Sequence, residues 1–97
     1  MKSVEEALQI WESRGGKYGK LYKSYPLCVL KAVIKFKCIR FALAGDRDDA
    51  LDALNYIAAY TAREEKVDIR TAHMRLLSKR GEFAWLYWLL LRALGDV

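Results

Sequence analysis

The chain has 97 residues, of which 54% are hydrophobic, 30% are charged and only one is proline, and its net charge is +5. This length and composition predict one folded domain, residues 1–97, rather than a disordered chain. The positive charge favours nucleic acid or another acidic surface as a partner. One histidine and two distant cysteines, Cys28 and Cys38, lack the spacing of a zinc site, so we predict no metal and no cofactor.

The amino-terminal region does not read as a signal peptide, because Glu5 and Glu6 stand where an apolar segment should begin. The most apolar run, Phe83–Leu91, is too short to span a bilayer. We therefore expect a cytoplasmic protein with no membrane partner. Asn55 and Gln9 are the only side-chain amides, a depletion that hints at a thermophile.

Hydrophobic periodicity predicts an all-α fold, a small helical bundle of four to five helices. Ser3 and Glu6 have the spacing of a capping box, which predicts a short first helix over 4–13. Gly15-Gly16 is expected to end this helix.

The stretch 26–44 is predicted as a helix with Pro26 at its start and Gly45 just past its end. Apolar residues form two stripes on nearly opposite sides, one of them running through Phe36 and Ile39. A helix with two apolar faces packs on both sides, so we expect the central helix of the bundle or a helix shared with a partner chain. Alternation around Phe36 also fits a strand, but nineteen residues without a breaker are long for one.

The next helix is predicted over 48–65, with acidic residues at its positive end. Its alanine-rich face predicts close packing on 26–44, so the two should form a central hairpin with a tight turn at Gly45-Asp46. Asp52, Asn55 and Tyr56 are expected on the outward face.

The segment 14–25 is predicted as a basic and aromatic connection between helices. Its cations suit phosphates and its tyrosine rings suit stacking on unpaired bases. A solvated linker with tyrosines packed on the core is an equal alternative on composition alone. The wider context favours binding, because eight basic residues and no acid lie between Ser13 and Gly45.

Charge alternates along the rest of the chain, with a net of −4 from Asp46 to Asp68 and +4 from Arg70 to Arg80. One interpretation is ordinary internal charge pairing on solvated helix faces. The other is that the basic segments 14–40 and 70–80 form one patch, with the acidic helix turned away.

Asp68 can cap a helix over 69–80 that Gly81 ends. The run from Ile57 through the turn 64–67 into this helix resembles the helix-turn-helix of small archaeal DNA-binding domains. The resemblance implies that the second helix enters the major groove and that its exposed residues read bases. Those residues would be Arg70, Thr71, Met74 and Arg75.

The last segment, 83–94, is predicted as a helix that is apolar all round, with a strand as the less favoured alternative. Such a helix is either fully buried or half of an interface. We expect a homodimer or a helical protein partner there, with Trp85, Trp88, Leu89 and Leu91 as interface residues.

The sequence thus predicts a non-enzymatic nucleic-acid-binding protein, with duplex DNA slightly favoured over RNA. His73, expected between the inward and outward faces of the helix over 69–80, has no nucleophile or carboxylate at a known catalytic spacing, so no catalytic residue is predicted. The alternative is a helical adaptor that binds another protein through its apolar helices. The residues predicted to contact nucleic acid are Arg14, Lys17, Tyr18, Lys20, Tyr22, Lys23, Arg70, Thr71, Met74, Arg75, Lys79 and Arg80.

Overall fold

The computed structural model describes residues 1–97, apart from the side chains at positions 16, 17 and 21. The predicted all-α bundle is confirmed, with one helix more than expected. The six helices are α1 (Lys2–Ser13), α2 (Gly15–Ser24), α3 (Leu27–Ala44), α4 (Arg47–Glu65), α5 (Ile69–Leu77) and α6 (Ala84–Ala93).

The centre of the bundle is α4, so the prediction that 26–44 is the central helix is wrong. Every residue from Asp49 to Ala62 is buried, and each of the other five helices contacts α4. Its many alanines let neighbouring helices approach closely on every side. Asp52, Asn55 and Tyr56, expected on an outward face, are buried for this reason.

The predicted hairpin of 26–44 and 48–65 is confirmed as α3 and α4. Gly45 ends α3 in the left-handed conformation, with φ of 70°, which glycine adopts without steric cost. Asp46 then caps α4, because its carboxylate accepts a hydrogen bond from the Asp48 amide at 2.9 Å.

The segment 14–25 is not an irregular connection, since most of it forms α2. Tyr18 and Tyr22, four residues apart, share the face that packs inward. The Tyr18 ring stacks on Trp11 at a centroid distance of 4.8 Å, and the Tyr22 hydroxyl donates to the Val67 carbonyl at 3.1 Å. Tertiary packing of these rings therefore overrides the low helix propensity of the glycines.

The predicted capping box at the start of α1 is wrong, because Ser3 lies inside the helix and is buried. Its amide and its hydroxyl donate instead to the Asp96 carboxylate, at 2.9 and 2.6 Å. Arg47 adds a hydrogen bond to the Ser3 hydroxyl at 3.2 Å and an ion pair with Glu6 at 2.8 Å. The start of α1 is thus held by an acid near the other end of the sequence.

The segment 83–94 is helical, as α6, which settles the choice between helix and strand. Asp68 occupies the N-cap position of α5, but without a side-chain capping hydrogen bond. The helix α5 is three residues shorter than the predicted 69–80. Within the described residues, no helix combines the length and hydrophobicity needed to cross a membrane.

Candidate functional site

The side of α3 that points away from α4 is an exposed apolar surface. Its large apolar side chains are well exposed: Phe36 to 56%, Ile39 to 57% and Leu43 to 84%. Val29 and Ala32 lie on the same side and are also exposed. We call these five residues the outer face of α3.

The outer face has the spacing of a helix-pairing seam. Its residues Val29, Ala32, Phe36, Ile39 and Leu43 follow one another at intervals of three, four, three and four. This is the a/d pattern of a heptad repeat, in which apolar side chains interlock with those of a second helix. Within the described part of this chain, no helix covers the outer face.

The opposite side of α3 explains why the outer face is left exposed. Leu30 and Ile34 are fully buried against α4, and they lie on the other side of the helix axis. Lys37 also faces α4, where its ammonium lies 3.5 Å from the Asp49 carboxylate and 3.3 Å from that of Asp52. One stripe of apolar and ionic contacts is therefore enough to hold α3 in place.

The charges beside the outer face are all positive. Lys35 borders it on one side and has no ion pair with any described side chain. Arg40 borders it on the other, with its guanidinium 5.8 Å from the centroid of the Phe36 ring and its Nε 3.5 Å from Asp49. Lys31 is already neutralised by Glu82 at 3.0 Å.

Two buried carboxylates of α4 pair with three of the eight basic residues between Ser13 and Gly45. Lys37 contacts both carboxylates, and Arg40 contacts that of Asp49. The guanidinium of Arg14 lies 3.7 Å from the carboxylate of Asp52. The acidic helix is therefore not turned away from the basic segments, and charge pairing within the chain is the better description here. Two carboxylates against three cations leave this cluster with one net positive charge.

Tyr18 belongs to the same cluster and not to an exposed binding surface. Its side chain is fully buried, and its hydroxyl donates a hydrogen bond to the Asp52 carboxylate. Burial, reinforced by this carboxylate, raises the pKa of the Tyr18 phenol. The prediction that Tyr18 stacks on nucleic acid is wrong, because its ring is inaccessible.

The structure describes the side chains of two of the three lysines in α2. Lys20 and Lys23 are exposed, whereas the side chain of Lys17 lies outside the described residues. Tyr22 is only half-buried, but its hydroxyl is already bonded to Val67.

Of the α5 residues that the helix-turn-helix resemblance assigns to DNA contact, only some are exposed and unpaired. Arg70 and Met74 are exposed, Thr71 is half-buried, and Arg75 forms an ion pair with Glu65. Lys79 and Arg80 follow the end of α5 and are exposed.

An open groove includes part of the first predicted basic segment, 14–40, and no residue of the second, 70–80. It has a volume of about 600 Å³ and lies where α2 meets the turn between α4 and α5. Lys23, Arg63 and Lys66 line it together with Tyr22 and one acid, Asp68. We call this the basic groove. Arg63 and Lys66 were not expected there, because they lie inside the stretch whose net charge is negative.

The predicted interface on α6 is smaller than expected. Leu91 is buried in the core, so naming it an interface residue was wrong. Trp88 is half-buried, and its indole N–H donates to the Leu76 carbonyl at 3.0 Å. Trp85 and Leu89 remain exposed, to 63% and 49%.

His73 is fully buried, not placed at the boundary between the inward and outward faces of α5. Its Nδ1 lies 2.7 Å from the Tyr87 hydroxyl, and its Nε2 has no partner among the described residues. Burial, with a smaller effect from Arg70, lowers the pKa of His73 from 6.5 to about 4. It is therefore a neutral core residue at physiological pH.

The docking potential of α3 was visible in the sequence only as a second apolar stripe. That stripe predicts either packing between two neighbours inside the bundle or contact with a partner chain, and periodicity alone does not choose between them. Compared with known proteins, the chain matches no family model, no curated protein and no solved structure.

Proposed function

We propose that this protein is a helical adaptor or subunit that binds a helix of another protein along the outer face of α3. The observation that carries the proposal is the exposure of Phe36, Ile39 and Leu43 in heptad register on one side of a well-packed helix. Contiguous apolar surface of this kind on a small protein marks an interaction site.

The size of the outer face is sufficient for specific binding. The full surface area of each large side chain is roughly 180 Å², and multiplying it by the exposed fraction gives an exposed apolar area on the order of 400 Å² for the outer face. Covering that area stabilises a complex by about 10 kcal/mol before costs. A partner helix contributes a similar area, so the gross gain of about 20 kcal/mol exceeds the roughly 4–15 kcal/mol that the loss of free motion on association costs. We therefore expect dissociation constants in the micromolar range.

The test uses a synthetic peptide of about 18 residues, cross-linked to keep it helical. It carries Leu at the a and d positions and Gln at the e and g positions, so that it has no charge on the flanks of its seam. We expect the labelled peptide to bind the wild-type protein in fluorescence anisotropy. Ile39→Asp and Leu43→Asp should each weaken binding at least tenfold.

The control is Trp85→Asp, which puts the same charge on an equally exposed apolar position of α6. This variant should bind the peptide like the wild type. Loss of binding in Trp85→Asp with retention in Ile39→Asp would move the site to α6 and overturn the proposal. Absence of binding to the wild type would also overturn it.

Nucleic-acid binding is the second candidate function, and the basic groove is the observation that favours it. Lys23 and Lys66 line the groove without an ion pair to any described carboxylate, and Arg63 donates to the Tyr25 carbonyl. The groove is short and includes Asp68, so few phosphates can be neutralised at once. This is why we rank the function second.

This candidate is tested by fluorescence anisotropy of labelled duplex DNA, single-stranded DNA and RNA at two salt concentrations. Binding that weakens steeply with salt, and further in Lys23→Ala/Lys66→Ala, would support it. The matched control is Lys2→Ala/Lys35→Ala, which removes two exposed charges elsewhere. Equal losses in both double variants would show only a non-specific effect of net charge.

A further inference from the structure

We infer that the partner bound by the outer face of α3 is an acidic amphipathic helix, with Glu or Asp beside its apolar seam. This inference rests on the proposed function and adds the chemistry of the partner. Its basis is the sign and position of the charges along α3.

In a pair of helices, the side chains that border the apolar seam meet those of the partner. The bordering charges on α3 are Lys35 and Arg40, in the g and e positions of the heptad that places Phe36 at a and Ile39 at d. The sequence of α3 contains no acid at all. The seam is therefore flanked only by positive charge.

The charge on both flanks persists in the folded protein. Lys35 is exposed without a described ion-pair partner, and Arg40 is 53% exposed while sharing Asp49 with Lys37. The cluster around Asp49 and Asp52 keeps one net positive charge even after pairing. A partner helix that lies on the outer face therefore meets cations on both of its sides.

A second copy of this chain is a poorer occupant than an acidic helix. Because every charge that borders the seam is positive, pairing α3 with itself places like charges together in either helix direction. Like charges facing each other are destabilising, whereas a carboxylate in the same place is stabilising. Apolar burial would favour both occupants equally, so charge decides between them.

The outer face spans Val29 to Leu43, which is about 21 Å along the helix axis. Four turns of a partner helix cover this length. The partner is thus expected to present about two heptads, with apolar residues at a and d and carboxylates at the e and g positions facing Lys35 and Arg40.

The experiment compares three cross-linked helical peptides that share one apolar seam and differ only at e and g, with Gln, Glu or Lys there. Each is titrated with the full chain in fluorescence anisotropy at low and high salt. We expect the Glu peptide to bind about fivefold or more tighter than the Gln peptide, and the Lys peptide weaker. The differences should shrink at high salt because the flanking charges are exposed to solvent.

Lys35→Glu tests the assigned contact, with Lys2→Glu as a control that changes the net charge equally at another exposed site. Lys35→Glu should remove most of the advantage of the Glu peptide, whereas Lys2→Glu should retain it. Equal effects of the two variants would overturn the assignment to the flank of α3.

The remaining outcomes separate this inference from the proposed function. If the three peptides bind equally well and Ile39→Asp abolishes binding, the docking function stands and the acidic partner is refuted. If none binds the wild type, both fail. Sedimentation of the wild type as a dimer that Ile39→Asp converts to a monomer would identify a second copy as the occupant and overturn the inference.

Discussion

Ile34 and Ile39 lie five residues apart in α3, yet Ile34 is fully buried and Ile39 is 57% exposed. At 100° per residue, the two side chains project about 140° apart around the helix axis. The same residue type thus contributes to the core on one side of α3 and to the proposed docking surface on the other.

This pair gives a matched test of how α3 is oriented. Ile34→Ala should lower the free energy of unfolding by about 2–4 kcal/mol, because it leaves a cavity against α4. Ile39→Ala should change it by less than about 0.5 kcal/mol, because no packing is lost and alanine favours helix formation. Urea denaturation followed by circular dichroism measures both values. Similar losses in the two variants would mean that the outer face is packed within the chain.

Alanine substitution of Gly19, compared with that of Gly45, tests whether Gly19 lies in a helix. A Cβ atom added at Gly19 meets no described atom within 4 Å, so Gly19→Ala should stabilise α2 by roughly 0.5–1 kcal/mol. Gly45 has φ of 70°, so Gly45→Ala should instead destabilise the protein by about 1 kcal/mol. Thermal unfolding of both variants gives the two signs. Destabilisation by Gly19→Ala would contradict a helical α2.

The buried hydrogen bond from Tyr18 to Asp52 should be essential for packing α2 on α4. Tyr18→Phe keeps the ring but removes a donor to a buried carboxylate, which should cost about 1–3 kcal/mol. Tyr25→Phe is the control, since Tyr25 is 41% exposed, and it should cost less than about 0.5 kcal/mol. Chemical denaturation of the two variants supplies the comparison, and equal costs would place Tyr18 outside the core.

His73 should make the protein less stable as the pH falls below neutrality. Its pKa is about 4 in the folded state, below the ordinary 6.5, so the unfolded chain takes up a proton first. The folded state should therefore lose roughly 2 kcal/mol between pH 7.5 and pH 5, and the loss should continue until the pH reaches the folded pKa.

The measurement is the urea concentration at which half of the protein is unfolded, compared between pH 7.5 and pH 5. His73→Leu removes the titrating ring, so its change should be clearly smaller than that of the wild type, whatever its stability at pH 7.5. An unchanged pH dependence in His73→Leu would mean that the histidine is not buried in its neutral form.

The sequence was sufficient to predict the all-α class and the α3–α4 hairpin because these depend on local signals. Gly45 and Asp46 end one helix and begin the next by their own conformational preferences. The central position of α4 was missed because alanine is compatible with both close packing and a solvated face.

The site was harder to predict because it depends on which surfaces remain uncovered. Periodicity located the stripe of Phe36 and Ile39, but no local signal says that the bundle leaves it exposed. Likewise, the pairing of Lys37 with Asp49 and Asp52 brings together charges from different helices. Counting charges along the chain therefore overestimated the basic surface.

The most direct test of the docking proposal is the change in backbone amide NMR shifts of the labelled protein on addition of the helical peptide with Glu at e and g. We expect the largest changes between Val29 and Leu43, and we expect Ile39→Asp to abolish them. Changes centred on α6 or on the basic groove, or no changes at all, would refute docking along the outer face of α3.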